Sequence, residues 1–429
     1  MEIFILIVSF IVLVGIRVPI AWSIGIASLL TILFSIDSIA SFTTISQRVV
    51  TGLDSFSLLA IPFFILAGHI MNSGGIAKRL IEFAKSLVGS LPGGLAQVNI
   101  VAAMMFGAIA GSAGAAAAAA IGSFMSERME KEGYTKEYGV AVNVTAATTG
   151  LLIPPSNIFI IYSLASGGVS IGALFLAGYI PGILTGLILM LIAFIWAKRK
   201  GFPTSKRSSA SYIFKSFIDA LPSLLLLVII IGGIVAGIFT ATEASSVAVV
   251  YCLSLSFLYK EMTLSGLKDV LVQSVGTISL VMLLIAMSIA MSWVMSYENI
   301  PQDITSSLLS FSDNPIIVMI LINLILLFVG IFMDMTPAIL IFTPIFLPVA
   351  IAMGIDPVHF GVIMILNLCI GLCTPPVGAV LFIGVGVAGT TIQKVIKPLL
   401  PLFVGMLISL ILVIIFPSLS LWLPRLFGF

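Results

Sequence analysis

Charged side chains are scarce in this 429-residue chain, because Asp, Glu, Lys and Arg together make up 8% of the residues while 60% are hydrophobic. A soluble globular protein of this length carries about 25% charged residues, so that class is excluded. Apolar runs of about 20 residues recur along the chain and match the thickness of a bilayer core. The runs are continuous rather than alternating, which excludes a β-barrel. The composition therefore predicts an all-α polytopic membrane protein.

Residue types that drive hydrolysis are also rare. No Gly is followed by Lys, which excludes a P-loop ATPase, and the only histidines, His69 and His359, exclude an HExxH zinc protease. The three cysteines lie in apolar segments, where this residue usually acts as a small hydrophobe. The N-terminus has no basic region before its apolar run and is expected to be a membrane helix rather than a cleaved signal peptide. No nucleic-acid partner is expected.

Two segments with paired prolines indicate an internal repeat. Residues 150–157 read GLLIPPSN and residues 371–378 read GLCTPPVG, an offset of 221 positions. The chain is therefore predicted to consist of two diverged repeats, residues 1–215 and 216–429, as in many transporters. The predicted apolar segments are 3–16, 19–36, 55–72, 95–126, 138–166 and 172–197, then 220–240, 244–259, 271–296, 316–352, 359–388 and 398–423, with amphipathic or polar stretches at 76–90 and 297–313.

Segments 95–126 and 316–352 are too long for a single crossing, since more than 30 helical residues rise about 45 Å. If both are re-entrant hairpins, 17 of the 19 Lys and Arg residues lie on one side of the membrane. If they cross fully and residues 52–90 form the hairpin instead, the split weakens to 14 against 5. The positive-inside rule prefers re-entrant hairpins. The prediction is two inverted repeats with an external N-terminus, two hairpins and about 11 spanning segments, one of them unassigned or an arm helix.

The first predicted hairpin contains GAIAGSAGAAAAAAIGS at residues 107–123, with no side chain larger than Ile. A turn at 111–114 would expose carbonyl groups that lipid cannot satisfy. Gly111 and Gly114 supply the turn dihedrals and Ser112 adds a hydroxyl, which together suit a small hard cation. The start of the returning half-helix at 115 offers N–H groups to an anion. Alternatively, the small residues only allow neighbouring helices to pack closely.

The second predicted turn lies within IFMDMTPAI, residues 331–339. Asp334 is a carboxylate in the middle of an apolar run, a costly position that is usually functional, and Thr336 is a further oxygen ligand beside it. Pro337 suits the first turn of a returning half-helix. The other interpretation of Asp334 is a structural hydrogen bond to a neighbouring helix.

The paired prolines predict two broken helices at the depth of these turns. Proline has no N–H, so a proline cannot donate the i+4 hydrogen bond of a helix. The carbonyls that lose this donor to Pro154, Pro155, Pro375 and Pro376 are those of Gly150, Leu151, Gly371 and Leu372. Side-chain oxygens beside the breaks come from Thr148, Thr149, Ser156, Asn157 and Thr374. The candidate cation-binding residues are thus Gly111, Ser112, Gly114, Gly150, Pro154, Ser156, Asn157, Asp334, Thr336, Gly371, Thr374 and Pro376.

Over essentially its whole length the sequence resembles the large, DctM-like membrane subunit of tripartite ATP-independent periplasmic (TRAP) transporters. The most specific segments are LLAIPFFILAGHIM, GAIAGSAGAAAAAAIGS, LLIPPSNIFIIY, GIFTATEASSVAVVY and DPVHFGVIMILNLCIGLCTPPVGAVLF. The resemblance implies Na⁺-coupled import of an organic acid, such as a C4-dicarboxylate or sialic acid, by an elevator-like domain in the bacterial inner membrane. It implies two partners, a small four-helix membrane subunit (Q-type) and a soluble periplasmic binding protein (P-type).

Carried onto this chain, the resemblance implies one Na⁺ site at Ser112 with the Gly150–Asn157 break and another at Asp334 with the Gly371–Thr374 break. The second break reads TPPVG where the first reads PPSN, so equal side-chain ligation at the two sites is not expected. Two alternatives remain. One is a stand-alone sodium/carboxylate symporter of similar build. The other is an intramembrane enzyme acting on lipid, against which stands the lack of a paired acid and base near the breaks.

Overall fold

The computed structural model describes residues 2–110, 125, 128–202, 208–312 and 314–429. Across these residues the secondary structure is helical and contains no strand. Eight helical stretches among the described residues are long and apolar enough to cross a membrane. One of them, Phe56–Ser73, combines a short 3₁₀ turn with the helix that follows it. The prediction of an all-α polytopic membrane protein is confirmed.

The first half contains nine described helices and a short 3₁₀ turn. Their bounds are α1 Glu2–Gly15, α2 Ile20–Ile32, α3 Ser38–Gly52, the 3₁₀ turn Phe56–Leu59, α4 Ala60–Ser73, α5 Ile76–Val88, α6 Gly94–Ala110, α7 Lys136–Gly150, α8 Asn157–Ala165 and α9 Ile171–Lys200.

The second half contains ten described helices. Their bounds are α10 Ala210–Val235, α11 Ala241–Leu258, α12 Leu264–Tyr297, α13 Ile300–Phe311, α14 Pro315–Phe332, α15 Met335–Ala352, α16 Pro357–Leu372, α17 Ala379–Ala388, α18 Ile392–Ile415 and α19 Ser418–Leu426.

Several helices of the two halves begin at the spacing found in the sequence. The starts of α2 and α11, α6 and α14, α7 and α16, and α9 and α18 are each 221 residues apart. The pairs of helices that pack together correspond in the same way. Helix α4 packs on α11 as α12 packs on α2, and α6 packs on α7 as α14 packs on α16. The opposite orientation of the two halves stays a prediction.

Three helices differ from the expected pattern. Helix α3 (SIASFTTISQRVVTG) was not anticipated, because its polar residues interrupt any long apolar run. Helix α12 is one continuous helix of 34 residues, although only 271–296 was expected to be apolar. The chain also turns after Ile415 and ends in the short helix α19, whereas one segment, 398–423, was expected.

Helices α7 and α16 form the centre of the molecule. Every residue of α7 from Tyr138 to Gly150 is buried, and so is every residue of α16 from His359 to Leu372. Helices α6, α9, α17 and α18 pack around α7, while α14, α15 and α18 pack around α16. The two helices that carry the paired prolines therefore lie in the core.

The segment expected to be the second hairpin consists of α14 and α15, joined at Met333 and Asp334. The two helices make few contacts with each other: α14 packs mainly on α16, and α15 on α8, α12, α13 and α16. Each has 18 residues, which rise about 27 Å and almost match the bilayer core. The turn at Asp334 is present, and its re-entrant depth stays a prediction.

Candidate functional site

The first helix break lies between Gly150, where α7 ends, and Asn157, where α8 begins. The N–H groups of Leu151, Leu152 and Ile153 donate to carbonyls three residues earlier. Gly150 O thus accepts a hydrogen bond from Ile153 N at 3.2 Å, and Tyr179 Oη donates to Pro154 O at 3.4 Å. The Gly150 carbonyl therefore lacks its i+4 donor, as predicted, and accepts an i+3 bond instead, because the chain tightens before the prolines.

Two side chains at this break are buried without partners. Ser156 and Asn157 are both 0% exposed. Neither Ser156 Oγ nor either polar atom of the Asn157 amide has a hydrogen-bond partner among the described residues. Leaving a buried polar group unpaired costs about 1–3 kcal/mol, so native proteins do so rarely and often at functional sites. These atoms are the strongest indication of a ligand in the described structure.

The second break lies between Leu372, the end of α16, and Ala379, the start of α17. Here too the first carbonyl has a donor, since Thr374 N donates to Gly371 O at 2.9 Å. The Thr374 hydroxyl donates to Ile370 O at 2.8 Å. The Gly371 carbonyl thus also lacks its i+4 donor, as predicted, and an i+3 bond replaces the lost bond.

Carbonyl oxygens instead converge around Gly378. A Cβ at this position would lie 2.8 Å from Leu372 O and 2.9 Å from Thr374 O, and the residue has a positive φ of 47°. Only glycine fits such a backbone conformation and spacing without strain. The second break therefore supplies main-chain oxygens where the first supplies side-chain groups.

The turn between α14 and α15 is tied to the second break through the backbone. Gly378 N donates to Ile331 O at 3.0 Å. At the residue before Ile331, Gly330 touches Gly371 directly, because a Cβ on Gly371 would lie 2.7 Å from Gly330 Cα. The structure thus brings the predicted second turn and the predicted second break together.

Asp334 caps the first turn of α15. Its Oδ1 accepts a hydrogen bond from Met335 N at 2.8 Å, and no other hydrogen bond of its side chain is found within the described part of the chain. The residue is exposed at the junction of α14 and α15. Thr336, in contrast, is buried. The side chain of Asp334 is therefore accessible and retains lone pairs for a ligand.

The two breaks meet at the centre of the molecule. Thr148 Oγ1, one turn before the first break, lies 3.4 Å from Cys373 Sγ at the second. Cys373 Sγ also donates to Val144 O at 3.6 Å. Both Pro-Pro peptide bonds, Pro154–Pro155 and Pro375–Pro376, are cis. Residues 150–157 are all buried, whereas Pro376 is exposed, so the second break is the more open one.

A buried amide pair beside the second break was not anticipated. Asn367 Nδ2 donates to Asn323 O at 2.8 Å and to Asn323 Oδ1 at 2.7 Å, which joins α16 to α14. The residues 221 positions earlier are Ala146 and Ala102, so the first half has no such pair. Two asparagines inside apolar runs were the signal available in the sequence.

Three of the predicted site residues, Gly111, Ser112 and Gly114, lie outside the described residues. Glu243 forms a capping box with Thr240: each side chain accepts a hydrogen bond from the other residue's backbone N–H, at 2.8 and 3.2 Å. Within the described ranges no cluster of three His, Cys, Asp or Glu could hold a metal ion. The available ligands are therefore backbone, hydroxyl and amide oxygens together with the single carboxylate of Asp334.

Comparison with known proteins identifies the family. The family model described as "Tripartite ATP-independent periplasmic transporter, DctM component" matches residues 7–419. YgiK of Salmonella typhimurium is 54% identical over 420 residues, which cover 98% of this chain and 96% of YgiK. Two Vibrio cholerae proteins follow. The sialic acid TRAP transporter large permease SiaM is 42% identical over 383 residues, covering 89% of each chain. The C4-dicarboxylate large permease DctM is 41% identical over 442 residues, covering 97% of each.

Among solved structures, the Alcanivorax borkumensis YdaH transporter matches with a TM-score of 0.66 at 12% identity, over 90% of each chain. At this identity the match shows the fold alone. SiaM and DctM are named as transporter permeases, which favours a transporter over the alternative of an intramembrane enzyme acting on lipid. Large permeases of this kind work with a small membrane subunit and a periplasmic binding protein, and they transport organic acids. The chain therefore belongs to the DctM-component family of tripartite ATP-independent periplasmic transporters.

Proposed function

We propose that this chain imports an organic acid together with Na⁺, as the transport subunit of a binding-protein-dependent system. The observation that carries the proposal is that Ser156 and Asn157, two buried side chains at the first helix break, have no hydrogen-bond partner among the described residues. Unwound backbone and half-helix ends at the bilayer midplane are the usual place for coupling ions and substrate in secondary transporters.

The first Na⁺ ion is proposed to bind Ser156 Oγ and Asn157 Oδ1, with Ser112 and the glycines beside it as the predicted contribution of the first turn. Small hard cations prefer oxygen ligands, whether uncharged or anionic. Each of these two side chains has an oxygen atom that makes no hydrogen bond to the described residues. Occupation of the site would compensate the cost of burying these atoms.

The second Na⁺ ion is proposed to bind main-chain oxygens near Gly378, those of Leu372 and Thr374, with the Asp334 carboxylate supplying the charge. The hydrogen bond from Gly378 N to Ile331 O holds the turn of α14 and α15 against these carbonyls. Thr336, Gly371 and Pro376 shape this site rather than ligate directly. Two sites of different chemistry agree with the different sequences of the two breaks.

The organic anion is proposed to bind between the two turns, with its carboxylate near the positive N-terminal ends of α8 and α15. Its identity as a C4-dicarboxylate, a sialic acid or another carboxylate depends on the soluble partner that delivers it. The two turns and broken helices are proposed to move together as an elevator relative to α1–α5 and α10–α13. The partners are a four-helix Q-type subunit and a P-type binding protein, in the inner membrane with a periplasmic N-terminus.

Uptake into proteoliposomes tests the proposal. The chain and its small subunit are reconstituted, and Na⁺, proton and voltage gradients are imposed one at a time, with and without the binding protein. Accumulation of labelled organic acid should require an inward Na⁺ gradient and the binding protein. Uptake driven by a proton gradient alone would overturn the Na⁺ assignment. Uptake without the soluble protein would instead favour a stand-alone symporter.

Cysteine labelling tests the inverted arrangement. Single cysteines at positions 128 and 353, after the first predicted hairpin and after α15, should react with impermeant reagents from opposite sides of the membrane. The three native cysteines are buried, which keeps the background low. Reaction of both from the same side would remove the inverted geometry.

A further inference from the structure

A cavity of about 440 Å³ lies between α5, the start of α10 and the loop that follows α11. Lys78, Arg79 and Glu82 line it from α5, and Glu261 from the loop. Helix α10 contributes Tyr212, Lys215, Ser216 and Asp219. The α10 residues occupy positions i, i+3, i+4 and i+7 and thus form one face of the helix. These residues define the α5–α10 pocket.

The pocket lies where apolar helices end. Helix α4 ends at Ser73 and α11 at Leu258, both just before residues of the pocket. On α10 the charged residues occupy the first turns, ahead of the apolar stretch LLLLVIIIGGIV (224–235). Such positions in a membrane protein lie at the depth of the lipid headgroups. A headgroup is therefore the ligand most available to this pocket.

The pocket contains charged side chains of both signs, and some of each sign form no ion pair with the described residues. Arg79 and Glu82 are engaged: the Arg79 guanidinium stacks 3.6 Å from the Tyr259 ring centroid, and Glu82 accepts a hydrogen bond from Tyr212 Oη at 3.1 Å. The remaining charged side chains make no ion pair with any described residue, namely Lys78, Lys215, Asp219 and Glu261. Among the described residues, the pocket thus offers two cations and two anions that form no ion pair.

This balance selects among lipid headgroups. A phosphate with a primary ammonium group matches both signs, because the lysines can bind the phosphate while the carboxylates accept N–H bonds from the ammonium. Phosphatidylglycerol has no cation for Asp219 and Glu261, and phosphatidylcholine has no N–H to donate. Beside the pocket, Phe214 and Ile218 on α10 are 67% and 46% exposed and provide apolar surface for acyl chains. We propose that the α5–α10 pocket binds the headgroup of phosphatidylethanolamine.

Native mass spectrometry of the purified chain tests this, using three lipids with the same acyl chains. Phosphatidylethanolamine is expected to bind about fivefold more tightly than phosphatidylglycerol or phosphatidylcholine. Equal binding of all three would overturn the proposal. So would full displacement by soluble phosphoethanolamine at equal concentration, since that would show a water-soluble ligand rather than a lipid.

Charge variants separate the two halves of the headgroup. Lys215→Ala should weaken binding of phosphatidylethanolamine and phosphatidylglycerol alike, by about fivefold. Asp219→Asn should weaken binding of phosphatidylethanolamine only. Lys215→Arg keeps the positive charge and should retain binding. The matched control is Lys394→Ala, because Lys394 is exposed and far from the pocket in sequence. If Lys215→Ala and Asp219→Asn bind all three lipids as Lys394→Ala does, the pocket is not the site.

Discussion

Replacing Gly371 with alanine should force apart the two helices that meet at the second break. The new Cβ would lie 2.7 Å from Gly330 Cα and 2.8 Å from Gly330 C, and both are backbone atoms that no rotamer change can move. Reaching an ordinary contact of 3.4 Å requires α14 and α16 to separate by about 0.7 Å. Overpacking of this kind costs about 1–3 kcal/mol.

The separation also affects the link between the turn and the break. The hydrogen bond from Gly378 N to Ile331 O is 3.0 Å long and would be stretched by the same shift to about 3.7 Å, beyond the normal range. Gly371→Ala should therefore lower the melting temperature and also raise the Na⁺ concentration needed for half-maximal uptake.

The assay combines thermal unfolding in detergent with uptake into proteoliposomes at varied Na⁺. Gly276→Ala is the matched control, because a Cβ at this position in α12 meets no atom within 4 Å. Alanine there should be neutral or stabilising by about 0.5–1 kcal/mol, since glycine is unfavourable inside a helix. If Gly371→Ala melts and responds to Na⁺ as Gly276→Ala does, the backbone contact with Gly330 does not hold the second break.

Three further substitutions test the remaining parts of the site. Asp334→Asn should leave the melting temperature unchanged and raise the Na⁺ concentration for half-maximal uptake about tenfold or more, because interactions with a charged group contribute about 1.5–3 kcal/mol; unchanged Na⁺ activation would contradict the assignment. Asn157→Leu should raise the melting temperature, since it removes an unpaired buried amide that costs about 1–3 kcal/mol, and abolish Na⁺-driven uptake; a lower melting temperature would show that the amide is already satisfied. Asn367→Ala should destabilise by about 1–3 kcal/mol through the lost bonds to Asn323, measured by thermal unfolding, whereas an unchanged melting temperature would show that the pair contributes nothing.

Much of the fold was predictable because apolar length and proline are strong local signals. The breaks before Asn157 and after Leu372 follow from two Pro-Pro pairs, and the turn at Asp334 from a carboxylate within an apolar run. Helix α3 was missed because SIASFTTISQRVVTG has no continuous apolar run, and it is held by packing on α12 instead. Tertiary contact, not local sequence, defines such a helix.

The positions of the helix breaks were predictable from the sequence, but the hydrogen bonding around them was not. The sequence shows which N–H groups proline removes, and it cannot show that Ile153 and Thr374 then donate to Gly150 and Gly371 at i+3. That choice depends on the dihedral angles adopted after the helix stops. The convergence of carbonyls on Gly378 and the Asn323–Asn367 pair likewise depend on contacts between segments distant in sequence.

The contact between Thr148 and Cys373 gives the chain a natural reporter of its own motion. Cys373 is one of three cysteines, and its thiol is enclosed where the two broken helices meet. A small alkylating reagent can reach it only when those helices separate, so its rate of modification measures how often the centre opens. If the two broken helices move together during transport, as proposed, this thiol should stay protected during turnover, and faster modification in the presence of Na⁺ and substrate would show that they separate instead.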